Sequence, residues 1–94
     1  MIAHHRFTIT ATCPVDGSQD TYDATVTVTR VLPVELIAPA VERSTSGGPA
    51  FQEQIAQRLA DDLRATVELV GTHSGITSTV TATPCATTPT QARS

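Results

Sequence analysis

The chain has 94 residues, a net charge of −3, six arginines and no lysine. This length predicts one domain with one modest core, and the lack of an 18-residue apolar stretch excludes a membrane-spanning helix. Without a basic cluster to neutralise phosphates, a nucleic acid is an unfavourable direct partner.

Two segments near the N-terminus alternate between threonine and apolar side chains. They cover residues 6–13 and residues 22–29. A period of two predicts two half-buried strands, which we expect to pair antiparallel around the loop of residues 14–21. Pro14, Asp16 and Gly17 are turn formers in that loop.

The middle of the chain changes to helical spacing. Residues 31–44 predict a short or broken helix, because Pro39 lies inside the segment and removes a backbone donor. Residues 44–48 are rich in serine and glycine and predict a linker. Residues 49–64 give the clearest helix, since apolar side chains recur there every four residues.

The C-terminal part returns to strands. Residues 66–70 predict a short strand, residues 71–75 a turn, and residues 76–83 another alternating strand that includes Ile76 on its apolar face. We expect a single domain over residues 1–84 and a flexible tail over residues 85–94.

The order strand, strand, helix, helix, strand, strand predicts an α+β protein. One face of its antiparallel sheet is aliphatic and is expected to pack against both helices. The other face is almost entirely threonine, and aromatic residues are only 3% of the chain. Such a face and the unpaired edge strands favour closure of several subunits into an oligomeric barrel.

The two cysteines bear on cellular location. The N-terminus has no apolar segment of signal-peptide type, so we expect a cytoplasmic protein in which Cys13 and Cys85 are free thiols. A secreted, threonine-rich β domain with a Cys13–Cys85 disulfide is the alternative.

Three short motifs accompany this ββααββ order. The first is Cys13-Pro14 followed by Gly17, Gln19 and Asp20, the second is Phe51-Gln52-Glu53, and the third is Gly75-Ile76-Thr77-Ser78. Together they resemble the tunnelling-fold (T-fold) family, and within it the 7-cyano-7-deazaguanine reductases and their archaeosine-synthase relatives. Members of the T-fold family bind purines or pterins at subunit interfaces of a homo-oligomeric barrel.

The resemblance implies a small, purine-like or pterin-like ligand and a set of site residues. Cys13 would attack a nitrile to form a covalent thioimidate, and Asp20 would transfer the proton. Asp16 and Asp23 compete with Asp20 for that role. Glu53 would anchor the ring by accepting two hydrogen bonds, with Glu35 and His73 as further substrate contacts.

The chain also departs from the family pattern. The reductases carry lysines that support nicotinamide binding, whereas residues 34–37 here contain none, and Gln52 replaces a histidine. NADPH remains a possible cofactor whose motif is missing. The amidine-forming relatives act on modified RNA, which the acidic balance of this chain disfavours.

Each candidate also has a purely structural interpretation. Cys13 shares the alternating face of Ile9 and Ala11 and could be a core residue, and Glu53 could serve only the helix dipole. His73 could be an ordinary turn residue. No paired ligand spacing supports a zinc site built from the two cysteines and His4 and His5, so no metal is predicted. A non-enzymatic ligand-binding or structural T-fold protein is the alternative to an enzyme.

Overall fold

A computed structural model describes residues 1–85 of the chain. Four strands and two helices make up this part, with a short 3₁₀ turn, Val34–Leu36, leading into the first helix. The elements are β1 (Ala3–Thr12), β2 (Gln19–Val28), α1 (Ile37–Thr45), α2 (Gln52–Leu63), β3 (Thr66–His73) and β4 (Ile76–Ala82).

The four strands form one antiparallel sheet in the order β1-β2-β3-β4. The first and last pairs are hairpins, and both helices lie in the connection between β2 and β3. Phe7 pairs with Ala24, and Ala24 pairs with Leu69, so the apolar positions of successive strands fall on one face. This architecture confirms the α+β class and the predicted element order.

An aliphatic core lies between the sheet and the helices. Val26 and Val67 from the sheet and Ile55 and Leu59 from α2 are fully buried. Alanines of both helices, including Ala40, lie among them and allow close approach. Because the side chains are small, the core depends on tight packing rather than on aromatic area.

The opposite face of the sheet is polar and rich in threonine. His4 and Thr27 form a hydrogen bond on it at 2.8 Å, and Thr25 and Thr27 are partly buried. Within the described part of the chain, β1 and β4 each leave one side without a strand partner. Over residues 1–85, no helix combines the length and the apolar character needed to cross a membrane.

Pro39 does not break the first helix, which is short, as one of the two predicted outcomes allowed. It is the third residue of α1, and the amides of the first turn have no intrahelical acceptor, so proline costs no hydrogen bond there. The helix starts later than predicted, and the 3₁₀ turn Val34–Leu36 takes the place of its expected first part.

The strands of the second hairpin also differ from the prediction. β3 continues to His73, and only Ser74 and Gly75, both with positive φ, form the turn. The continuation was not predicted because Gly71 lies within it, and glycine usually indicates a turn. Ile76 lies at the tip of the hairpin, opposite His73 and beyond the core, so it is 67% exposed instead of buried.

The C-terminal prediction can be followed only as far as Cys85. The Cys85 amide donates to the Asp61 carboxylate at 2.9 Å, and the rest of the predicted flexible tail lies outside the described residues. Cys13 and Cys85 are both free thiols, so the disulfide alternative is wrong.

Candidate functional site

A tight loop follows β1 and fixes Cys13. The Cys13 amide donates to the Ser18 carbonyl at 2.8 Å, and the Gly17 amide donates to the Cys13 carbonyl at 3.0 Å. Gly17 has a φ of 75°, which suits glycine. Asp16 closes the loop by accepting from the Ser18 amide and hydroxyl at 3.0 and 2.7 Å. The loop of the first hairpin is therefore shorter than predicted, and Cys13 lies immediately after β1.

The start of α2 is held against this loop. The Ala50 amide donates to the carbonyl of Thr12 at 3.3 Å, and the Phe51 amide donates to the Gln54 side chain at 2.9 Å. The Gln52 amide group donates to the carbonyls of Leu69 and Ser78 at 2.8 and 3.0 Å. The first turn of α2 is thus tied to β1, β3 and β4 together.

These elements enclose a cavity of about 260 Å³. Its wall combines the Cys13 loop, the cavity face of β2, the first turn of α2 and the hairpin of β3 and β4. The lining residues are Cys13, Pro14, Val15, Asp20, Tyr22, Phe51, Gln52, Glu53, Gly71, Thr72, His73, Ile76 and Ser78.

Cys13, Asp20 and His73 form a compact cluster in this cavity. One ligand-type atom from each residue lies within 4.8 Å of the other two. His73 Nδ1 is 3.1 Å from Asp20 Oδ1, and His73 Nε2 is 3.9 Å from Asp16 Oδ2. Cys13 is 6% exposed, and the Asp20 side chain is 14% exposed. A thiol, a carboxyl group and an imidazole therefore share a partly shielded space where protons can be exchanged.

Tyr22 adds a hydroxyl beside Asp20. Its hydroxyl donates to Asp20 Oδ2 at 3.4 Å. Burial of the ring, followed by the nearby Asp20 charge, raises the pKa of Tyr22 to about 12. Tyr22 is therefore a neutral donor at physiological pH, and it orients the carboxyl group of Asp20.

Asp16 supplies a permanent negative charge at the cavity edge. Hydrogen bonds from the Ser18 hydroxyl and amide, and then from the Cys13 thiol, lower its pKa to about 2. Asp16 is exposed, so solvent screens this charge.

The cavity has an apolar rim that faces solvent. Val15 is 77% exposed, Ile76 67% and Phe51 49%. Phe51 and Glu53 both line the cavity at the start of α2, so an aromatic ring and a carboxylate belong to the same wall. This pairing suits a flat ring with hydrogen-bond donors on its edge.

Four of the five predicted site residues come together in the cavity: Cys13, Asp20, Glu53 and His73. Glu35 does not. It is exposed on the 3₁₀ turn before α1, and it is not part of the cavity wall in this chain. The roles assigned to all five remain predictions.

The strand register separates Asp20 from Asp23. Asp20 shares the face of Tyr22 and lines the cavity, whereas Asp23 projects from the opposite face into a groove with Arg6. Successive side chains of a strand alternate between faces, so the two aspartates cannot serve the same site. Once the strand is extended back to Gln19, the geometry favours Asp20.

Tyr22 and Phe51 were not assigned site roles from the sequence, and Asp16 was considered only as a competitor of Asp20. Tyr22 is two residues from Asp20, so their shared face could have been inferred from strand alternation. The approach of Asp16 to His73 could not have been inferred, because it depends on how the two hairpin ends meet. Cys13 is buried as the structural interpretation expected, but it borders a cavity and two carboxylates.

Comparison with known proteins bears on the fold. No protein-family model matches the chain, and no curated protein sequence is significantly similar. The crystal structure of the archaeosine synthase QueF-Like in the apo form matches with a TM-score of 0.74 and 18% sequence identity. The match covers 86% of this chain and 90% of that one. The chain therefore has the tunnelling fold, in the form found in that QueF-like protein.

Proposed function

We propose that this protein is an enzyme that binds a deazapurine-type base, such as 7-cyano-7-deazaguanine, and attacks its nitrile through Cys13. The observation that carries the proposal is the shared cavity of the Cys13 thiol and the carboxyl groups of Asp20 and Glu53. Supporting it, the fold is similar to that of a protein named as an archaeosine synthase.

The first step is an addition without a leaving group. The Cys13 sulfur forms a bond to the nitrile carbon, and one π bond of the nitrile breaks. The nitrogen takes that electron pair together with the proton that the thiol gives up, so the product is a thioimidate. Asp20 is the group that transfers the proton, since one of its oxygens lies within 4.8 Å of the sulfur. Tyr22 and His73 orient Asp20 through their hydrogen bonds to its two oxygens.

Ring recognition is assigned to Glu53 and Phe51. The Glu53 carboxylate accepts the two parallel N–H groups of an aminopyrimidinone edge, and the Phe51 ring covers the base. The cavity of about 260 Å³ lies just below the roughly 300–1,000 Å³ range of small-molecule sites. This size suits one bicyclic base.

The second step consumes the thioimidate. Ammonia attacking its carbon would expel the Cys13 thiol and give an amidine, whereas reduction would need hydride from NADPH. The 3₁₀ turn Val34–Leu36 occupies the segment that carries the lysines in the reductases, and this chain has no lysine. These residues do not fit a nicotinamide cofactor, so we expect no loss of NADPH absorbance when it is added with the nitrile.

The proposed active unit is a homo-oligomer. The exposed apolar rim of Val15, Phe51 and Ile76 would be covered by a neighbouring subunit, which would close the cavity. Glu35 would then act on the ligand of an adjacent subunit rather than its own. Light scattering tests this, and a strictly monomeric protein would contradict the interface site.

Intact-mass spectrometry tests the proposed chemistry. Incubation with 7-cyano-7-deazaguanine should add the whole mass of the ligand to the protein. The adduct should be absent in Cys13→Ala and retained in Cys85→Ala, which removes the other thiol. Ammonium should then discharge the adduct and release the amidine. Binding of the base to the wild-type protein with no adduct would instead favour the non-enzymatic alternative.

A further inference from the structure

The Cys13, Asp20 and His73 cluster brings three candidate metal ligands close to the spacing of a tetrahedral site. The three candidate ligand atoms lie within 4.8 Å of one another, and His73 Nδ1 and Asp20 Oδ1 are already 3.1 Å apart. Zinc bonds of roughly 2.0–2.3 Å place tetrahedral ligand atoms about 3.3–3.8 Å from one another. Side-chain movements of about 1 Å would therefore bring all three atoms around one ion.

Two of the three candidate ligands have partners of the kind that orient metal ligands. If His73 binds through Nδ1, its Nε2 lies 3.9 Å from Asp16 Oδ2, an ion-pair distance beyond hydrogen-bond range. The Tyr22 hydroxyl donates to the second oxygen of Asp20 at 3.4 Å, which leaves the first oxygen available. Carboxylate partners of histidine ligands fix the ring and strengthen metal binding.

The donor set selects the type of ion. A thiolate with an imidazole and a carboxylate suits Zn²⁺, whereas Mg²⁺ and Ca²⁺ prefer oxygen ligands alone. Three protein ligands beside a cavity leave the fourth position accessible, as in zinc sites that bind water or a small molecule.

We propose that Cys13, Asp20 and His73 bind one Zn²⁺ ion, with the fourth coordination position open to the cavity. Binding releases the thiol proton and uses the sulfur electron pair that would attack a nitrile. Zn²⁺ and a nitrile ligand therefore compete for the same sulfur. The proposal rests on the cluster geometry and stands independently of the nitrile chemistry.

Zinc titration of the full chain tests the site. The protein is stripped with EDTA, exchanged into chelator-free buffer under a non-thiol reductant and titrated with Zn²⁺ against a chromophoric chelator. One equivalent per chain should bind. Affinity should fall at least tenfold in Cys13→Ser, Asp20→Asn and His73→Gln, and by a smaller factor in Asp16→Asn, which removes the carboxylate near His73.

Matched variants outside the cavity give the control. His4→Gln and Cys85→Ser remove a histidine and a thiol of the same chemistry, and both should keep wild-type zinc affinity. Circular dichroism and thermal unfolding of each variant identify any that lose affinity by failing to fold. No bound zinc in the wild-type protein, or equal affinity in a folded Cys13→Ser variant, would overturn the proposal.

Substitution with Co²⁺ provides a spectroscopic test of the site that does not depend on affinity. Co²⁺ at the site should show thiolate charge-transfer absorption and the visible bands of tetrahedral coordination, both lost in Cys13→Ser. A spectrum without the thiolate band would place the metal elsewhere and overturn the assignment.

The metal and the nitrile proposals can fail separately. Metal binding without a mass adduct in EDTA would leave the zinc site standing and refute the nitrile chemistry. An adduct in EDTA without metal binding would do the reverse. If both are correct, one equivalent of Zn²⁺ should suppress adduct formation and EDTA should restore it.

Discussion

Tyr22 and Gly71 lie directly opposite each other on β2 and β3, and the tyrosine ring lies across the glycine. A β-carbon on residue 71 would lie 2.8 Å from Tyr22 Cε1, closer than side chains tolerate. The missing side chain therefore allows the Tyr22 ring to lie against the sheet, with its hydroxyl beside Asp20.

Replacing Gly71 with alanine should move the Tyr22 ring. We expect Gly71→Ala to destabilise the fold by about 1–3 kcal/mol through overpacking. It should also slow adduct formation with the nitrile, because the hydroxyl leaves Asp20. Urea unfolding and the time course of the intact mass measure the two effects. Gly47→Ala is the matched control, since nothing lies within 4 Å of its added β-carbon.

A second substitution separates crowding from other effects of alanine. If the clash with the ring is the cause, Tyr22→Val combined with Gly71→Ala should be more stable than the sum of the single changes predicts. Strict additivity of the two unfolding free energies would contradict the assignment of the clash to this pair.

Asp20 and Asp23 of β2 form a matched pair, because their side chains project from opposite faces of the same strand. Asp20→Asn should slow thioimidate formation about 100-fold to 10,000-fold, the usual contribution of a general acid or base. Asp23→Asn should leave the rate unchanged, since that side chain lies on the other face of the sheet. The rates are measured by quenched mass spectrometry in EDTA, so that metal binding does not enter. Equal rates in the two variants would refute the role of Asp20.

The strand pattern explains how much of the site could be predicted. Alternation alone defines the sheet and its buried face, because each strand has one apolar and one polar side. The choice between Asp20 and Asp23 needed only the correct start of β2. Predicting the position of His73 required β3 to continue through Gly71. Glycine has a low strand propensity, but here it makes room for the Tyr22 ring.

Other features depend on contacts distant in the sequence. The approach of Asp16 to His73 joins two hairpin ends, and the Gln52 amide joins α2 to both β3 and β4. No local pattern encodes such distances. The role of Glu35 is a different case, because a contact across a subunit interface cannot be judged from the geometry of one chain.

Glu53 can be tested by changing one acceptor into a donor. Glu53→Gln keeps the shape but can no longer accept both N–H groups of the aminopyrimidinone edge. Loss of one charge-assisted hydrogen bond costs about 1.5–3 kcal/mol, which corresponds to roughly tenfold to a hundredfold in Kd. Isothermal titration of the base into the Cys13→Ala background isolates binding from adduct formation.

The control for Glu53 is Glu42→Gln on the exposed side of α1, outside the cavity wall. It makes the same change in net charge and should bind the base as tightly as the parent protein. A Glu53→Gln affinity equal to that of this control would show that Glu53 serves only the start of the helix.

Arg30 lies two residues after the end of β2 and caps the C-terminus of α2. Its guanidinium donates to the carbonyls of Leu63 and of Arg64, the latter at 2.9 Å, where the helix leaves these acceptors unpaired. Arg64 has a φ of 52°, and the Ala65 amide donates to the Ala60 carbonyl, so the helix ends sharply at this point. Arg30 thus joins the end of the first hairpin to the far end of the helix whose first turn lines the cavity.

Removing this cap should lower stability without changing the site. Arg30→Gln is expected to cost about 1–2 kcal/mol, which lowers Tm by roughly 4–8 °C for each kcal/mol in a domain of this size. Arg6→Gln on the polar sheet face is the matched loss of a guanidinium and should shift Tm less. The folded variant should still form the nitrile adduct at the wild-type rate, because the capped end of α2 is opposite the cavity. A large drop in that rate with unchanged Tm would mean that Arg30 acts on the site and not on the helix end.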